Sequence, residues 1–290
     1  IAVGSIDIDA GNLVLQNNAS IEMNSGEVPE GVAVGALDVE AINLLRIENS
    51  TISVSAIGAK SARADASLSG NYVELTGATI EHVNYFSKVY NQGDIYLRDK
   101  AEPVFLPGYG TLDITAQATV VSKEDTIISM QNGSINLAAG GMMLDGTSIE
   151  TETHWLQDSQ GRNSQLSLSA VGQLLLLNSR FKMETVSSGG RQTFIATAPV
   201  VQFKNSKLTL SDEVAGQTGA VLIDGSQSLS IEDSEITSIG MNTIDAGVNG
   251  NDITVGSGAV TVKSSVINTT VLGTGEVGQT KLVVTKSFSL

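Results

Sequence analysis

The stretch INLAAGGMMLDGTSI, residues 135–149, carries the pattern that decides the fold, because it recurs along most of the chain. Counted from Ile135, apolar residues stand at offsets +2, +7, +9 and +14, and a small residue, Ala139, stands at +4. Other copies keep these offsets or slip by one residue. They start at Ile6, Leu37, Leu68, Ile95, Leu112, Leu166, Phe194, Leu222, Ile253 and Leu282. Self-similarity with a period of about 20 to 50 residues indicates a solenoid.

Each copy contains three short stretches in which apolar and polar residues alternate, and no helical pattern lies between them. In the first copy the apolar pairs are Ile6 and Ile8, Leu13 and Leu15, and Ile21 and Met23. Alternation with a period of two directs every other side chain of a strand to the same face. We therefore predict an all-β fold, a right-handed parallel β-helix of about eleven rungs with three short strands each. It forms a single solenoid domain over residues 1–290.

Two rows of residues should stack from rung to rung. The small residues at offset +4 should line a bend too tight for a larger side chain; they are Ala10, Ala41, Ala116, Ala139, Ala170, Ala198, Ser226 and Ser257. Before the third strand, pairs built from Asn, Asp, Gly and Ser, such as Asn178-Ser179 and Asn205-Ser206, predict turns in the left-handed conformation. We expect these turns to satisfy backbone groups and not to bind a ligand.

The segments between the third strand and the next first strand vary in length, so all the variable loops should leave the solenoid at one corner. The repeat weakens over residues 82–110, an irregular interruption that is rich in tyrosine. Amphipathic rings suit glycan and protein contacts. The predicted ligand-binding residues are Tyr85, Tyr90, Tyr96, Tyr109 and Trp155. The alternative is that these rings fill the core of an imperfect rung.

The composition and net charge of the chain limit the classes of function that we expect. The net charge of −15 argues against nucleic-acid binding, which requires a basic surface. The chain has no cysteine, and no apolar run approaches the roughly 20 residues that span a bilayer. It begins at Ile1 within the pattern and ends inside a strand-like run, so we expect it to be part of a longer chain.

One group of acids is a candidate cation site. Asp7 and Asp9 on the first strand of one rung should lie beside Asp38 and Glu40 on the next, about 4.8 Å away. Carboxylate oxygens alone would favour Ca²⁺, and a solvated acidic surface is the alternative. No other cofactor is expected, because the two histidines, His82 and His154, lack the spacing of a zinc site.

Two copies, LDVEAINLLRIENSTI (residues 37–52) and LSLSAVGQLLLLNSRF (residues 166–181), resemble the repeats of filamentous-haemagglutinin-like exoproteins. These are large bacterial adhesins secreted through a dedicated outer-membrane partner (two-partner secretion). The resemblance covers nearly the whole chain and is weakest over residues 82–110. It implies a right-handed parallel β-helix, an extracellular or cell-surface location and adhesion. The Asn-Pro-Asn motifs of the family's secretion module do not occur in this sequence, so the resemblance does not extend to that module.

Three functions follow from these observations. The first is a structural or adhesive segment of a secreted exoprotein that binds a cell-surface receptor, glycan or matrix without catalysis. The second is a carbohydrate-active enzyme or tailspike-like depolymerase, which would need a groove lined by acids together with Arg or Lys. The third is a filament subunit whose copies stack end to end through open strand edges. The repeat favours the first, since a fold by itself sets no chemistry.

Overall fold

The computed structural model describes residues 4–28, 35–58, 64–88, 104–107, 110–153, 163–185, 191–212, 220–242, 252–273 and 280–289. These residues form β-strands joined by turns and contain no helix. The strands, in chain order, are β1 (Ile6–Leu15), β2 (Ser20–Val28), β3 (Leu37–Glu48), β4 (Thr51–Gly58), β5 (Ala66–Thr76), β6 (Thr79–Lys88), β7 (Val104–Pro107), β8 (Gly110–Lys123), β9 (Ile127–Gln131), β10 (Gly133–Asp145), β11 (Ser148–Thr153), β12 (Asn163–Ala170), β13 (Gln173–Leu177), β14 (Arg180–Thr185), β15 (Arg191–Lys204), β16 (Lys207–Asp212), β17 (Ala220–Glu232), β18 (Glu235–Asn242), β19 (Asp252–Lys263), β20 (Val266–Gly273) and β21 (Thr280–Ser289).

The strands form two parallel sheets that together make a β-solenoid, which confirms the predicted fold class. Sheet A runs in the order β1-β3-β5-β8-β10-β12-β15-β17-β19-β21, with β13 following β12 in the same rung and pairing with β10 and β15, and sheet B runs β2-β4-β6-β9-β11-β14-β16-β18-β20. The first two strands predicted for each rung form one bent strand of sheet A, and only β12 and β13 are separate. The third predicted strand belongs to sheet B.

The predicted number of rungs, about eleven, is too high. The eleven strands of sheet A make ten rungs, because β12 and β13 share one. β5 pairs directly with β8, with Leu68 beside Ile114, and β6 pairs directly with β9. No place is left between them for a rung starting at Ile95. The predicted interruption, residues 82–110, is thus too long at its start, because residues 82–88 belong to β6. Of the chain between β6 and β8, the structure describes β7, which pairs antiparallel with the end of β6.

Three predicted repeat starts are out of register. The partner of Leu37 is Ala66, two residues before Leu68. The partner of Phe194 is Val221 and not Leu222, so Leu222 faces outward and is 37% exposed. The partner of Ile253 is Thr280, two residues before Leu282. The one-residue error at Leu222 reverses the face of every side chain in that stretch of strand.

The core lies inside the solenoid, where the inward residues of both sheets meet. Phe181 on β14 of sheet B contacts Phe194 and Phe203 from the two halves of β15, with ring centroids 5.7 Å and 5.9 Å away. All three rings are fully buried. The core therefore joins the two sheets across successive rungs, and the aromatic ring edges pack on neighbouring rings, an arrangement that adds to the burial of apolar area.

The row of small residues at the bend of sheet A is present as predicted, with two changes. The row runs in register from Ala10 to Ala41, Gly70 and Ala116. The sequence pattern did not assign Gly70 to it. Gly225, not Ser226, continues the row between Ala198 and Ser257. A Cβ atom on Gly225 would lie 2.3 Å from the carbonyl oxygen of Ser228, so only glycine fits there.

The turn from sheet A to sheet B has the predicted left-handed conformation. Positive φ angles occur at Asn49, Gly77, Gly146, Asn178, Asn205, Asp233 and Ser264. In the rung that starts at Ile6 the turn contains two such residues, Asn17 and Asn18, which explains why that copy slips by one residue. Short polar side chains tolerate this region because they bond locally to the backbone.

A ladder of serine hydroxyls, which we call the serine ladder, follows these turns. The Ser206 hydroxyl accepts a hydrogen bond from the backbone N–H of Ser179 at 3.1 Å and donates to the Lys204 carbonyl at 2.8 Å. The same bonds recur at Ser179, Ser234 and Ser265. Each of these four serines therefore supplies the acceptor for a backbone N–H of the rung before it, which confirms that these turn residues satisfy backbone groups.

His82 belongs to the core and not to a surface site. It lies on β6 between Val54 and Met130 of the neighbouring rungs and is 1% exposed. Burial lowers the pKa of its imidazole to about 4, although the Asp65 carboxylate and a hydrogen bond to the backbone of Ala64 act in the opposite direction. The neutral ring is therefore the folded form at neutral pH.

The serine ladder can be tested by substituting Ser206 with alanine. Ser206→Ala removes the acceptor of the buried Ser179 N–H, so we expect the free energy of unfolding to fall by about 1–3 kcal/mol. Urea unfolding followed by circular dichroism measures the change. Ser169→Ala, at an exposed serine on an outward position, is the matched control and should change stability by less than about 0.5 kcal/mol. Equal effects of both substitutions would contradict the role of the ladder.

The burial of His82 predicts that the fold loses stability in mild acid. Because the folded-state pKa is about 4 and the ordinary value is 6.5, the unfolded chain binds the proton first as the pH falls. Stability should therefore be lost between these two values, by roughly 2 to 3 kcal/mol at pH 4.5. His82→Leu should reduce the difference in urea midpoint between pH 7 and pH 4.5. An unchanged difference would show that other groups cause the acid sensitivity.

Candidate functional site: a groove along the bend of sheet A

The side chains of the aromatic residues predicted to bind a ligand lie outside the described part of the chain. Tyr85 lies on β6, where its backbone pairs with Ile57 on one side and Pro107 on the other. Its side chain lies outside the described part of the chain. The other predicted contact residues, Tyr90, Tyr96, Tyr109 and Trp155, also lie outside the described residues. Their role in binding stays a prediction.

The acidic residues are placed as predicted, but only in pairs. Asp7 pairs in register with Asp38, and Asp9 with Glu40, and all four are exposed. The next rung continues these rows with Ser67 and Ser69. Among the described residues, no three or more His, Cys, Asp or Glu side chains converge as a metal site would require. The arrangement gives the Ca²⁺ hypothesis no further support.

The bend of sheet A alternates strictly between two lengths. Between the small residue of the bend and the next inward residue, the chain has two residues in β1, three in β3, two in β5 and three in β8. The alternation continues to β21. The two-residue bends are Gly11-Asn12, Asn71-Tyr72, Gly140-Gly141, Pro199-Val200 and Gly258-Ala259. The three-residue bends are residues 42–44, 117–119, 171–173, 226–228 and 285–287. The structural unit at this edge is therefore two rungs long.

The backbones of the longer and shorter bends pack closely against each other. A Cβ atom on Gly140 would lie 2.6 Å from the carbonyl oxygen of Ala118 in the three-residue bend of β8. A Cβ atom on Gly258 would lie 2.6 Å from the carbonyl oxygen of Gln227 in the three-residue bend of β17. The longer bends therefore lie against the first residue of the shorter ones. The backbone of this surface therefore repeats every two rungs.

A shallow groove of about 520 Å³ follows this bend across five rungs, from β3 to β12. Four strand spacings of about 4.8 Å make it about 19 Å long, parallel to the solenoid axis. Its sides contain residues from each bend, among them Glu40, Ile42, Asn71, Gln117, Ser169 and Val171. We call this feature the bend groove.

The bend groove has neutral hydrogen-bonding groups and little charge. Within the described residues, the side chains of Asn71, Gln117 and Ser169 make no hydrogen bond to the protein, so their donors and acceptors are available. Among the described residues that line it, Glu40 is the one carboxylate, and there is no Arg or Lys. Ile42 and Val171 are 71% and 81% exposed. The groove thus combines amide and hydroxyl groups with exposed apolar side chains.

Tyr72 was not identified as a site residue from the sequence, although it lies beside the groove, next in the chain to the lining residue Asn71. It lies in the two-residue bend of β5, between Leu44 and Thr119 of the neighbouring rungs, and is 48% exposed. Gly141 continues the same row two rungs away. Some copies of the sequence repeat slip by one residue, and this slip marks the longer bends. It is the feature of the sequence from which the site could have been predicted.

Some charged side chains away from the groove form ion pairs. Arg46 and Glu74 on adjacent rungs lie 2.7 Å apart, and Lys207 and Glu235 lie 2.9 Å apart. The hydrogen bond from Lys207 lowers the pKa of Glu235. Exposed pairs of this kind contribute little stability, at most about 1 kcal/mol.

Comparison with known protein families, with characterised proteins and with solved structures finds no match to this chain. None of the described residues forms a helix long and apolar enough to cross a membrane. The likeness to filamentous-haemagglutinin-like exoproteins therefore stays a resemblance of the repeat. The function has to be argued from the solenoid and the bend groove.

Proposed function

We propose that this chain is a structural and adhesive segment of a large bacterial secreted or cell-surface exoprotein, attaching to cells, surfaces or matrix without catalysis. The observation that carries the proposal is the bend groove, an elongated surface with uncommitted polar side chains on a repetitive scaffold. Such a surface makes many small contacts along an extended partner, which suits attachment. The repeat's resemblance to exoproteins supplies the secreted location.

The scaffold supports this function because its rungs are held together along all their length. Parallel backbone bonds join the described strands of sheets A and B, except β7, to their neighbours, and the serine ladder adds bonds at one corner. Each rung stabilises the next, so the groove residues keep fixed spacings without a large globular core. An adhesive segment needs that constancy because its contacts act together.

The enzymatic alternative finds one observation in its favour. Glu40 lines the bend groove, and Asp9 is its partner on the neighbouring rung, about 4.8 Å away along the sheet. Paired carboxylates about 5–5.5 Å apart perform retaining glycoside hydrolysis. Both side chains are exposed, however, and the described groove lining offers no Arg or Lys. A solvated carboxylate lacks the burial that makes a catalytic acid.

Attachment can be tested with purified chain on fixed cells, matrix proteins and immobilised polysaccharides. We expect saturable retention on at least one surface, because the groove offers unoccupied polar and apolar groups. The double variant Ile42→Ser/Val171→Ser should weaken retention at least about threefold, since each exposed apolar contact contributes of the order of 1 kcal/mol. Val14→Ser, an exposed apolar residue outside the groove, is the matched control and should retain full binding.

Two outcomes would contradict the proposal. Retention on none of these surfaces would remove attachment as the function. Release of reducing ends from any polysaccharide, abolished by Glu40→Gln, would establish the enzymatic alternative instead. Melting temperatures of all variants should stay close to that of the parent chain, because the substituted side chains are exposed.

A further inference from the structure

We propose that the bend groove binds a neutral, extended polysaccharide of equatorially linked pyranose rings, lying along the solenoid axis with one disaccharide for every two rungs. The inference rests on the proposed function, because it names the class of ligand through which the segment would attach. Three independent features of the groove carry it: its period, its chemistry and its charge.

The period of the groove matches a polymer that repeats every two sugars. Two- and three-residue bends alternate, so the surface repeats after two strand spacings, about 9.6 Å. In an extended, equatorially linked chain, successive rings turn over, and each advances by roughly one strand spacing, about 5 Å. The same ring face therefore returns every two rungs. An extended peptide repeats after two residues, about 6.7 Å, and would lose register with the bends.

The chemistry of the groove suits pyranose rings. Asn71, Gln117 and Ser169 offer donors and acceptors for ring hydroxyls, and none of them is engaged within the described structure. Tyr72, next to Asn71 in the shorter bend of β5, presents an exposed aromatic ring. The C–H face of a sugar packs on such a ring, while the phenol hydroxyl stays available for hydrogen bonding.

The charge of the chain and of the groove lining favours a neutral polymer as the ligand. The chain carries a net charge of −15, and the described lining of the groove includes Glu40 but no cation. Sulfated glycans, polyuronates and nucleic acids would meet repulsion without a compensating Arg or Lys. The length of the groove, about 19 Å, accommodates about four rings.

Substitutions of Gly141 can test both a gain and a loss of affinity for the polysaccharide. It lies two rungs from Tyr72 in the same row, and a Cβ atom there would meet nothing within 4 Å. Gly141→Tyr should place a second aromatic ring one disaccharide from Tyr72 and raise affinity about threefold to tenfold. Gly141→Glu should weaken binding by placing a hydrated charge at the same position. Tyr72→Ser should also weaken it, whereas Tyr72→Phe should preserve it.

Gly256 supplies the matched control. It faces outward on β19, beyond the groove, and a Cβ atom there would make only ordinary contacts, the nearest at 3.8 Å. Gly256→Tyr and Gly256→Glu should leave affinity unchanged. All variants are compared by melting temperature, so that a loss of binding is separated from a loss of folding.

The probes are soluble β-linked oligomers of glucose and of N-acetylglucosamine with two, four and six rings, titrated calorimetrically against the whole chain. We expect affinity to rise about tenfold from two to four rings and little beyond, because four rings fill the groove. An α-linked glucose tetramer and a polyuronate should bind more weakly than the β-linked tetramer.

Several results would overturn the inference: no binding of either β-linked series, no gain from two to four rings, equal binding of the α-linked tetramer, or equal effects of the Gly141 and Gly256 substitutions. Surface retention measured on the same preparations separates this inference from the proposed function. Retention without oligosaccharide binding refutes only the ligand class. Loss of both refutes the attachment function as well.

Discussion

The parallel backbone ladder between successive rungs is the constraint on which the other features of this structure depend. Because each strand bonds to the strand one rung away, residues roughly thirty positions apart must share a register, and every inward side chain meets its counterpart. The small residues at the bend, the left-handed turns and the serine ladder are consequences of this requirement. Each keeps the backbone on one path so that the ladder is not interrupted.

The same constraint creates the bend groove. A rung can carry an extra residue only where the ladder tolerates a shift, and the bend of sheet A is such a place. The extra residues occur at every second rung, so the surface at the bend repeats every two rungs. Glycines at positions 140 and 258 accept the approach of the longer bend. The extra bend residues thereby give this surface a repeat of two rungs. A ligand with a matching repeat can make the same contacts at every second rung.

Sequence reasoning succeeded where one copy of the repeat contains all the information. The alternation that buries Ile135 and Leu137, the left-handed Asn178 and the buried Ser206 follow from local chemistry. It failed where two copies must be compared in space. An extra bend residue and a shifted repeat start look the same along the chain, which is why Leu222 was placed inside and Gly225 was missed. The predicted number of rungs was too high for the same reason, because the tyrosine-rich interruption was counted as a rung.

By itself, the sequence determined the all-β solenoid, its small-residue bend and its polar turns, because these depend on side-chain size, polarity and backbone preference within about thirty residues. It also determined the pairing of Asp7 with Asp38 and of Asp9 with Glu40, since both copies keep the same offsets. Only the tertiary structure decided that His82 is buried, that Tyr72 lies beside a groove and that the bends alternate in length. These features depend on which residues of neighbouring rungs meet, and a register between rungs is a property of the stack, not of any one copy.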